Sequence, residues 1–354
     1  MIAIILGTRP EIIKMSPVIR ECEKRNIDYF ILHTGQHYSH LMDKVFFEQL
    51  KIREAKYNLD VGSGMHGEQT GKMLAGIEKV LIIEKPEAVL VLGDTNTVLA
   101  GAIAASKLHI KVGHIESGLR SFDRLMPEEI NRILTDHCSD YLFAPTSKSK
   151  EILLKEGISE EKIFMTGNTI VDAVYQNLTI ERTDKLKDMG LKHKGYILVT
   201  AHREENVDSP DRFKHILEGI KMVSDEFDLP AIYPMHPRSK KMMEKFGLRF
   251  ENLLIIDPLD YLSFLHLEKG ARLVLTDSGG VQEETCIMGV PCVTLRDNTE
   301  RPETIEVGSN LLAGCEPSSI LECARSMICK KEAWNNPFGD GKASEKILRA
   351  LIPA

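Results

Sequence analysis

Long apolar runs are missing from this chain: none approaches the ~20 residues of a membrane-spanning helix, so the sequence reads as that of a soluble protein with no membrane partner. The apolar opening, residues 1–6, runs straight into Gly7-Thr8-Arg9-Pro10-Glu11 and is too short for a signal-peptide core. Aromatic residues are few, at 6%, and no basic run carries them interleaved. With a net charge of −7, that argues against a general nucleic-acid binder. Cysteine pairs at CxxC spacing are absent, and the seven cysteines are odd in number and scattered, which points to a reduced, cytoplasmic setting. No mixed Cys/His set has metal-ligand spacing. Short-period repeats and low-complexity tracts are also lacking.

What is present is length and apolar content enough for two cores: 354 residues, 43% hydrophobic. Strand-like and helix-like segments alternate. Strands are expected at 2–6, 29–33, 88–92, 111–115, 141–144 and 163–166, then at 196–200, 231–235, 253–256, 272–276 and 291–295. Their near-continuous Val/Ile/Leu character suits parallel strands buried on both faces, with helices as crossovers. Two such series predict an α/β protein of two doubly wound, Rossmann-like domains, whose ligands bind at the strands' C-terminal ends in the cleft between domains. The expected division is 1–168, 169–335, and a last segment 336–354 whose helix spans about 343–351.

The strongest local signal is Arg272-Leu273-Val274-Leu275-Thr276, which stops at Asp277-Ser278-Gly279-Gly280 and opens a helix. A strand entering a helix through such a turn leaves backbone N–H groups unpaired where the helix dipole is positive, a setting for a phosphate. Ser278, Gly279 and Gly280 are therefore candidate anion contacts. An acid just after them, Glu283 or Glu284, suits a ribose diol, with Mg²⁺ held by Asp277, Glu283 and Glu284 as a weaker alternative. The first strand repeats the logic: Gly7-Thr8-Arg9-Pro10 reads as a turn and Glu11 to about Arg25 as a helix, with Arg9 and Lys14 near its start. Gly62-Ser63-Gly64-Met65-His66-Gly67 satisfies G-x-G-x-x-G but follows a poor strand, 57–61, and reads as a loop opening a helix rather than a dinucleotide site.

Carboxylates fall at consecutive strand ends. Asp94 follows the strand at 88–92, Glu116 follows the strand at 111–115, and Glu128 opens a helix at Pro127. Each alone is as readily a helix cap or a loop acid, but together they suit proton transfer in one cleft. In the second half, the strand at 196–200 leads into Ala201-His202-Arg203, adding a histidine.

Seven motifs in order, Gly7-Thr8-Arg9-Pro10-Glu11, Gly93-Asp94-Thr95, 113–120 (Gly-His-Ile-Glu-Ser-Gly-Leu-Arg), Pro127-Glu128-Glu129-Ile130-Asn131-Arg132, Thr166-Gly167-Asn168-Thr169, Thr276-Asp277-Ser278-Gly279-Gly280 and Thr299-Glu300-Arg301-Pro302-Glu303, cover nearly the whole chain. Together they resemble the non-hydrolysing UDP-N-acetylglucosamine 2-epimerases. The resemblance implies a glycosyltransferase-B-like fold with a C-terminal helix crossing back to the first domain, and a homodimer in the cytoplasm. It implies interconversion of UDP-GlcNAc and UDP-ManNAc with no NAD and no required metal, supplying UDP-ManNAc for surface polysaccharide or glycan synthesis. The implied route is elimination of UDP to 2-acetamidoglucal and re-addition. By matched motif, Asp94, Glu116 and Glu128 resemble the catalytic acids. Arg9, Lys14, His202 and the Ser278-Gly279-Gly280 turn resemble the residues at the diphosphate, His202 also counting among the catalytic groups. Glu284 resembles the ribose acid, Phe264 a uracil contact, and Arg301 a cleft-lining arginine. Leu259 stands at a position near the uracil where glutamine is usual, so a contact there runs through its backbone. Bacterial members bind a second UDP-GlcNAc near the motif matched by Gln36-His37, after which Tyr38-Ser39 departs from the usual polar pair. A glycosyltransferase or hydrolysing epimerase of the same fold, or a non-catalytic nucleotide-sugar binder, remain as alternatives.

Overall fold

A computed structural model of the chain describes residues 1–36, 40–180, 187, 189–248, 253–330 and 334–352. Positions 37–39, matched above to a second-ligand motif, and part of the polar stretch 179–194 lie outside these residues.

The chain forms two compact units, one of residues 1–177 with 338–354 and one of 178–337. In the first, strands β1 (Ile2–Leu6), β2 (Tyr29–His33), β3 (Tyr57–Asn58), β4 (Ala88–Leu92), β5 (Lys111–Ile115), β6 (Tyr141–Ala144) and β7 (Ile163–Met165) make one sheet in the order β3-β2-β1-β4-β5-β6-β7. In the second, β8 (Ile197–Thr200), β9 (Ala231–Pro234), β10 (Leu253–Ile256), β11 (Leu273–Thr276), β12 (Cys292–Thr294) and β13 (Asn310–Leu312) are ordered β10-β9-β8-β11-β12-β13. Neighbouring strands run parallel throughout, and helices connect them. Each unit is thus a doubly wound α/β sheet, as the alternation of segments predicts.

The reason lies in burial. All five residues of β1 and of β4 are buried, because parallel strands are covered on both faces. One face of the first sheet packs Ile5, Leu32 and Val91 with Met73, Ile77 and Val98 from helices His66–Glu84 and Asn96–Lys107. The second core gathers Val199, Leu275 and Val293 against Phe213, Ile216 and Ile320. Two strands escape the sequence reading. β3 is a two-residue edge strand, and β13 is a three-residue edge strand begun by a polar Asn310. The first helix starts at Arg9 rather than Glu11, because Thr8 caps it in a box with Glu11.

Within the first unit, the segment after Pro337 is secured to the helix Thr169–Leu178. Asn168 donates its amide N–H to Phe338 O at 2.8 Å, and the Asp172 carboxylate accepts from Ala343 N, Ser344 N and Ser344 Oγ. Asp172 thereby caps the last helix, Ala343–Leu351. Among the described residues no helix is long and apolar enough to cross a membrane.

Sheet order decides where ligands go. Strand order reverses between β1 and β4 in one unit and between β8 and β11 in the other, and loops diverge at such switch points to leave a crevice. Arg9 and Asp94 flank the first point, His202 and Ser278 the second.

Candidate active site

At the first switch point the turn after β1 is fixed by one carboxylate. Glu11 Oε2 accepts from the amides of Gly7 at 2.6 Å and Thr8 at 3.1 Å, and Oε1 accepts from Thr95 Oγ1 at 2.6 Å. Thr95 caps the helix Asn96–Lys107, so Glu11 ties the β1 turn to the β4 turn beside Asp94. Glycine at position 7 is a packing requirement, since a Cβ there would meet Thr34 Oγ1 at 2.1 Å and Thr97 Oγ1 at 2.3 Å. Burial pushes the Glu11 carboxyl up to about 7, against hydrogen bonds from Thr95 and the Gly7 and Thr8 amides that pull it down.

That shift predicts a pH effect. A carboxyl whose folded-state pKa is raised holds a proton that the unfolded chain releases, so its contribution to stability is lost as pH rises through the folded value. Glu11→Gln, which mimics the protonated acid, should therefore gain thermal stability relative to the parent between about pH 5 and about pH 8, by on the order of 3 kcal/mol. A melting-temperature difference that stays constant across this range would refute the assignment.

Glu116 lies just past β5 in the left-handed backbone region, at φ 67°, a conformation that costs a non-glycine residue about 1–3 kcal/mol and persists where surrounding contacts impose it. Those contacts are plain. Glu116 Oε1 accepts from Lys14 Nζ at 2.6 Å and Asn168 Nδ2 at 2.9 Å. Ser117 N donates to Phe143 O. Below it, His114 directs Nδ1 to Asp136 Oδ1 at 2.6 Å and Nε2 to Gly93 O at 2.9 Å. Asp136 also accepts from Gly118 N and Arg120 Nη2. Burial would raise the Asp136 carboxyl, but the facing His114 and Arg120 hold it below the usual carboxylate range. This buried cluster pins together the chain segments that carry Asp94 and Glu116.

Asp94 pairs with the Arg132 guanidinium, and its backbone carbonyl accepts from Asn131 Nδ2 at 2.9 Å. Of the adjacent Glu128 and Glu129, the second is buried and committed: it accepts from Ser121 N, Phe122 N and Arg132 Nη1. Glu128 instead lines a cavity of about 260 Å³ with Asp94, Gln36, His66 and Asn131. Ser63 and Gly64 of the G-x-G-x-x-G loop line it too, and the helix after that loop starts at His66. Glu116 is not in that lining. It approaches the same edge from the Gly93 side, where a Cβ on Gly93 would lie 3.8 Å from its Oε2. Lys14, expected near an anion, is the partner of Glu116. Arg9 sits at the start of its helix with the guanidinium carbon 5.0 Å from the centre of the Phe46 ring.

At the second switch point Asp277 is the anchor. Fully buried, it accepts from His202 N at 2.9 Å, Arg203 N at 3.0 Å and Asn206 Nδ2 at 3.1 Å. His202 Nδ1 stands 3.4 Å from its Oδ1, with the side chain half exposed. Asp277 is thereby consumed in joining the β8 and β11 loops. Glu283 faces Arg301 Nε at 2.8 Å, so the Asp277–Glu283–Glu284 metal set does not assemble, and Arg301 is held toward Glu283.

Ser278 is the N-cap of the helix Gly279–Met288, but no side chain caps this helix, which leaves its first amides for a ligand. The space ahead is open. A Cβ on Gly280 would come no nearer than 4.0 Å to Ser278 Oγ, and one on Gly279 no nearer than 3.8 Å to Glu300 Oε2. Glu300 accepts from both terminal nitrogens, Nη1 and Nη2, of the Arg296 guanidinium. Although burial opposes it, that pairing carries the Glu300 carboxyl down to about 2. Glu284, buried to 7% exposure, accepts from Tyr261 Oη at 3.0 Å. Leu259 lies in the loop before the helix Tyr261–Gly270, and Phe264 is half-buried on that helix.

Asn168 and Arg132 fix functional side chains without being singled out by the residue pattern, although both lie inside motifs quoted above.

The family model for UDP-N-acetylglucosamine 2-epimerase matches residues 20–352. UDP-N-acetylglucosamine 2-epimerase of Methanocaldococcus jannaschii is 58% identical over 99% of this chain and 98% of that protein. A crystal structure of the M. jannaschii UDP-GlcNAc 2-epimerase with UDP-GlcNAc and UDP has a TM-score of 0.88 at 58% identity, covering 99% of both chains. The Neisseria meningitidis UDP-GlcNAc 2-epimerase bound to UDP-GlcNAc has a TM-score of 0.88 at 35% identity, again over 99% of each chain.

Proposed function

The chain belongs to the UDP-N-acetylglucosamine 2-epimerase family, and from that premise we propose that it interconverts UDP-GlcNAc and UDP-ManNAc by eliminating and re-adding UDP. The hydrogen on carbon 2 is not acidic, since no carbonyl adjoins that carbon. Elimination answers this. The anomeric C–O bond breaks with its electrons leaving on the diphosphate, a base takes the proton from carbon 2, and a C1=C2 bond forms 2-acetamidoglucal. A proton then enters carbon 2 from the other face as a diphosphate oxygen attacks carbon 1. No net electron transfer occurs, so no redox cofactor is consumed.

The residues divide by task. Asp94, Glu116 and Glu128 serve the sugar, where carboxylates stabilise oxocarbenium character and move protons. The Ser278-Gly279-Gly280 amides, with Arg9 and His202, receive the departing diphosphate. Lys14 holds Glu116, and Arg301 acts through Glu283. Glu284 accepts from the ribose hydroxyls, Phe264 packs on the uracil, and Leu259 contacts it through its backbone. The product UDP-ManNAc feeds surface polysaccharide or glycan synthesis, and the active form is a cytoplasmic homodimer. The observation that carries this reading is the placement of acids on the β1/β4/β5 edge and an uncapped, open helix start on the β8/β11 edge.

Proton NMR of UDP-GlcNAc incubated with the protein in D₂O tests it. The expected result is UDP-ManNAc carrying deuterium at carbon 2. Release of UDP with free sugar would make the protein a hydrolysing epimerase, and an unchanged spectrum would make it a binding protein.

A further inference from the structure

Behind Glu284 lies a second acid that none of these roles uses. Glu268, near the end of the helix Tyr261–Gly270, is fully buried. Among the described residues no N–H or O–H donor reaches either of its carboxyl oxygens. What it meets is the carboxyl group of Glu284, within hydrogen-bonding contact. Two ionised carboxylates cannot occupy that contact, so the pair must hold a proton.

We propose that Glu268 is a positioning residue which, as a neutral acid, donates its O–H to Glu284 and with Tyr261 aims that carboxylate at the ribose diol of a uridine diphosphate. The proposal rests on the assignment of Glu284 to the ribose. The proton belongs on Glu268 because it is the deeper of the two, at 0% exposure against 7%. Burial and the neighbouring Glu284 both drive its carboxyl well above the ordinary range. Tyr196, also close by, is otherwise engaged, since its Oη donates to Leu267 O at 2.5 Å. Two donors, Tyr261 Oη and the Glu268 hydroxyl, then fix the Glu284 rotamer while leaving it anionic, with lone pairs to accept from two hydroxyls. An apolar residue at 268 would remove one of the donors that aim Glu284.

The test compares UDP with 2′-deoxy-UDP by calorimetry. The parent should prefer UDP by about 10-fold, the scale of one hydrogen bond to a charged group. Glu268→Leu should bring that preference close to unity and raise KM for UDP-GlcNAc about 10-fold with kcat little changed, while Glu268→Gln, which keeps an N–H donor, should behave as the parent. Glu268→Met replaces the leucine variant if the latter does not fold. A leucine or methionine variant that weakens UDP and 2′-deoxy-UDP equally, or that keeps the parent's preference, overturns the proposal, as does a glutamine variant no better than leucine. Glu284→Ala separates the two levels. It should abolish the preference. If it keeps the preference, Glu284 does not read the ribose and the premise fails. If it loses the preference while Glu268→Leu keeps it, only the Glu268 link fails.

Discussion

Glu116→Gln should lower epimerase turnover by about 10²-fold or more while UDP binding survives. The substitution gives up the ion pair with Lys14 but keeps an acceptor in place. An amide oxygen at the Oε1 position can still accept from Lys14 and Asn168, which reach Glu116 at 2.6 and 2.9 Å, so the left-handed turn at φ 67° keeps its constraints. What is lost is the ability to carry a proton or a negative charge beside the sugar. Asp94→Asn and Glu128→Gln should fall by about 10²-fold as well; Asp94 also gives up an ion pair with Arg132. Because the nucleotide contacts, Arg9 apart, are assigned to the unit 178–337, UDP titrations should change little in all three. Exchange of solvent deuterium into carbon 2 is the sharper readout, since it reports proton transfer even where net turnover is small. If all three variants kept near-normal turnover, the catalytic assignment would be wrong.

The parts of this site that were legible in the sequence share one property: they are set by local chain chemistry. A run such as Val89-Leu90-Val91-Leu92, bounded by turn residues, reads as a strand buried on both faces, and whatever follows it stands at the C-terminal edge of a parallel sheet. That is why Asp94, Glu116 and the Ser278-Gly279-Gly280 turn could be singled out from residue order alone, and why the doubly wound architecture could too. What remained hidden depends on pairs distant in the chain. Lys14 reaches Glu116 only because β1 and β5 both border β4. Glu128 and Glu129 look alike on paper, yet their helix turns one to the cavity and the other onto the amides of Ser121 and Phe122. Asp277, in sequence only a weaker candidate for a metal, has its carboxylate taken by the amides of the β8 loop. Glu268 carried no signal at all, because in sequence a glutamate on a helix reads as solvated. The missed strands β3 and β13 are edge pieces of two and three residues, so periodicity has too few residues to register them.

Gly280→Val should weaken UDP binding by about 10- to 100-fold, the value of one or two hydrogen bonds from amides to a charged oxygen. The argument rests on what occupies the space ahead of the helix Gly279–Met288. Apart from its chain neighbours, a Cβ at position 280 meets nothing among the described residues closer than Ser278 Oγ at 4.0 Å, and the position is exposed. Valine in the first turn of a helix is also no worse than glycine in intrinsic propensity. The fold should therefore survive, with an unchanged circular dichroism spectrum and a melting temperature near that of the parent. The contrast with Gly7 is instructive: a Cβ there would stand 2.1 Å from Thr34 Oγ1, so any loss of binding in a Gly7 variant would be confounded with loss of structure. At Gly280 the new methyl groups stand where a ligand would approach the helix start, whichever sugar the nucleotide carries. UDP, UDP-GlcNAc and UDP-ManNAc should hence lose affinity together. A folded Gly280→Val protein that binds UDP as tightly as the parent by calorimetry would show that the diphosphate does not sit at this turn.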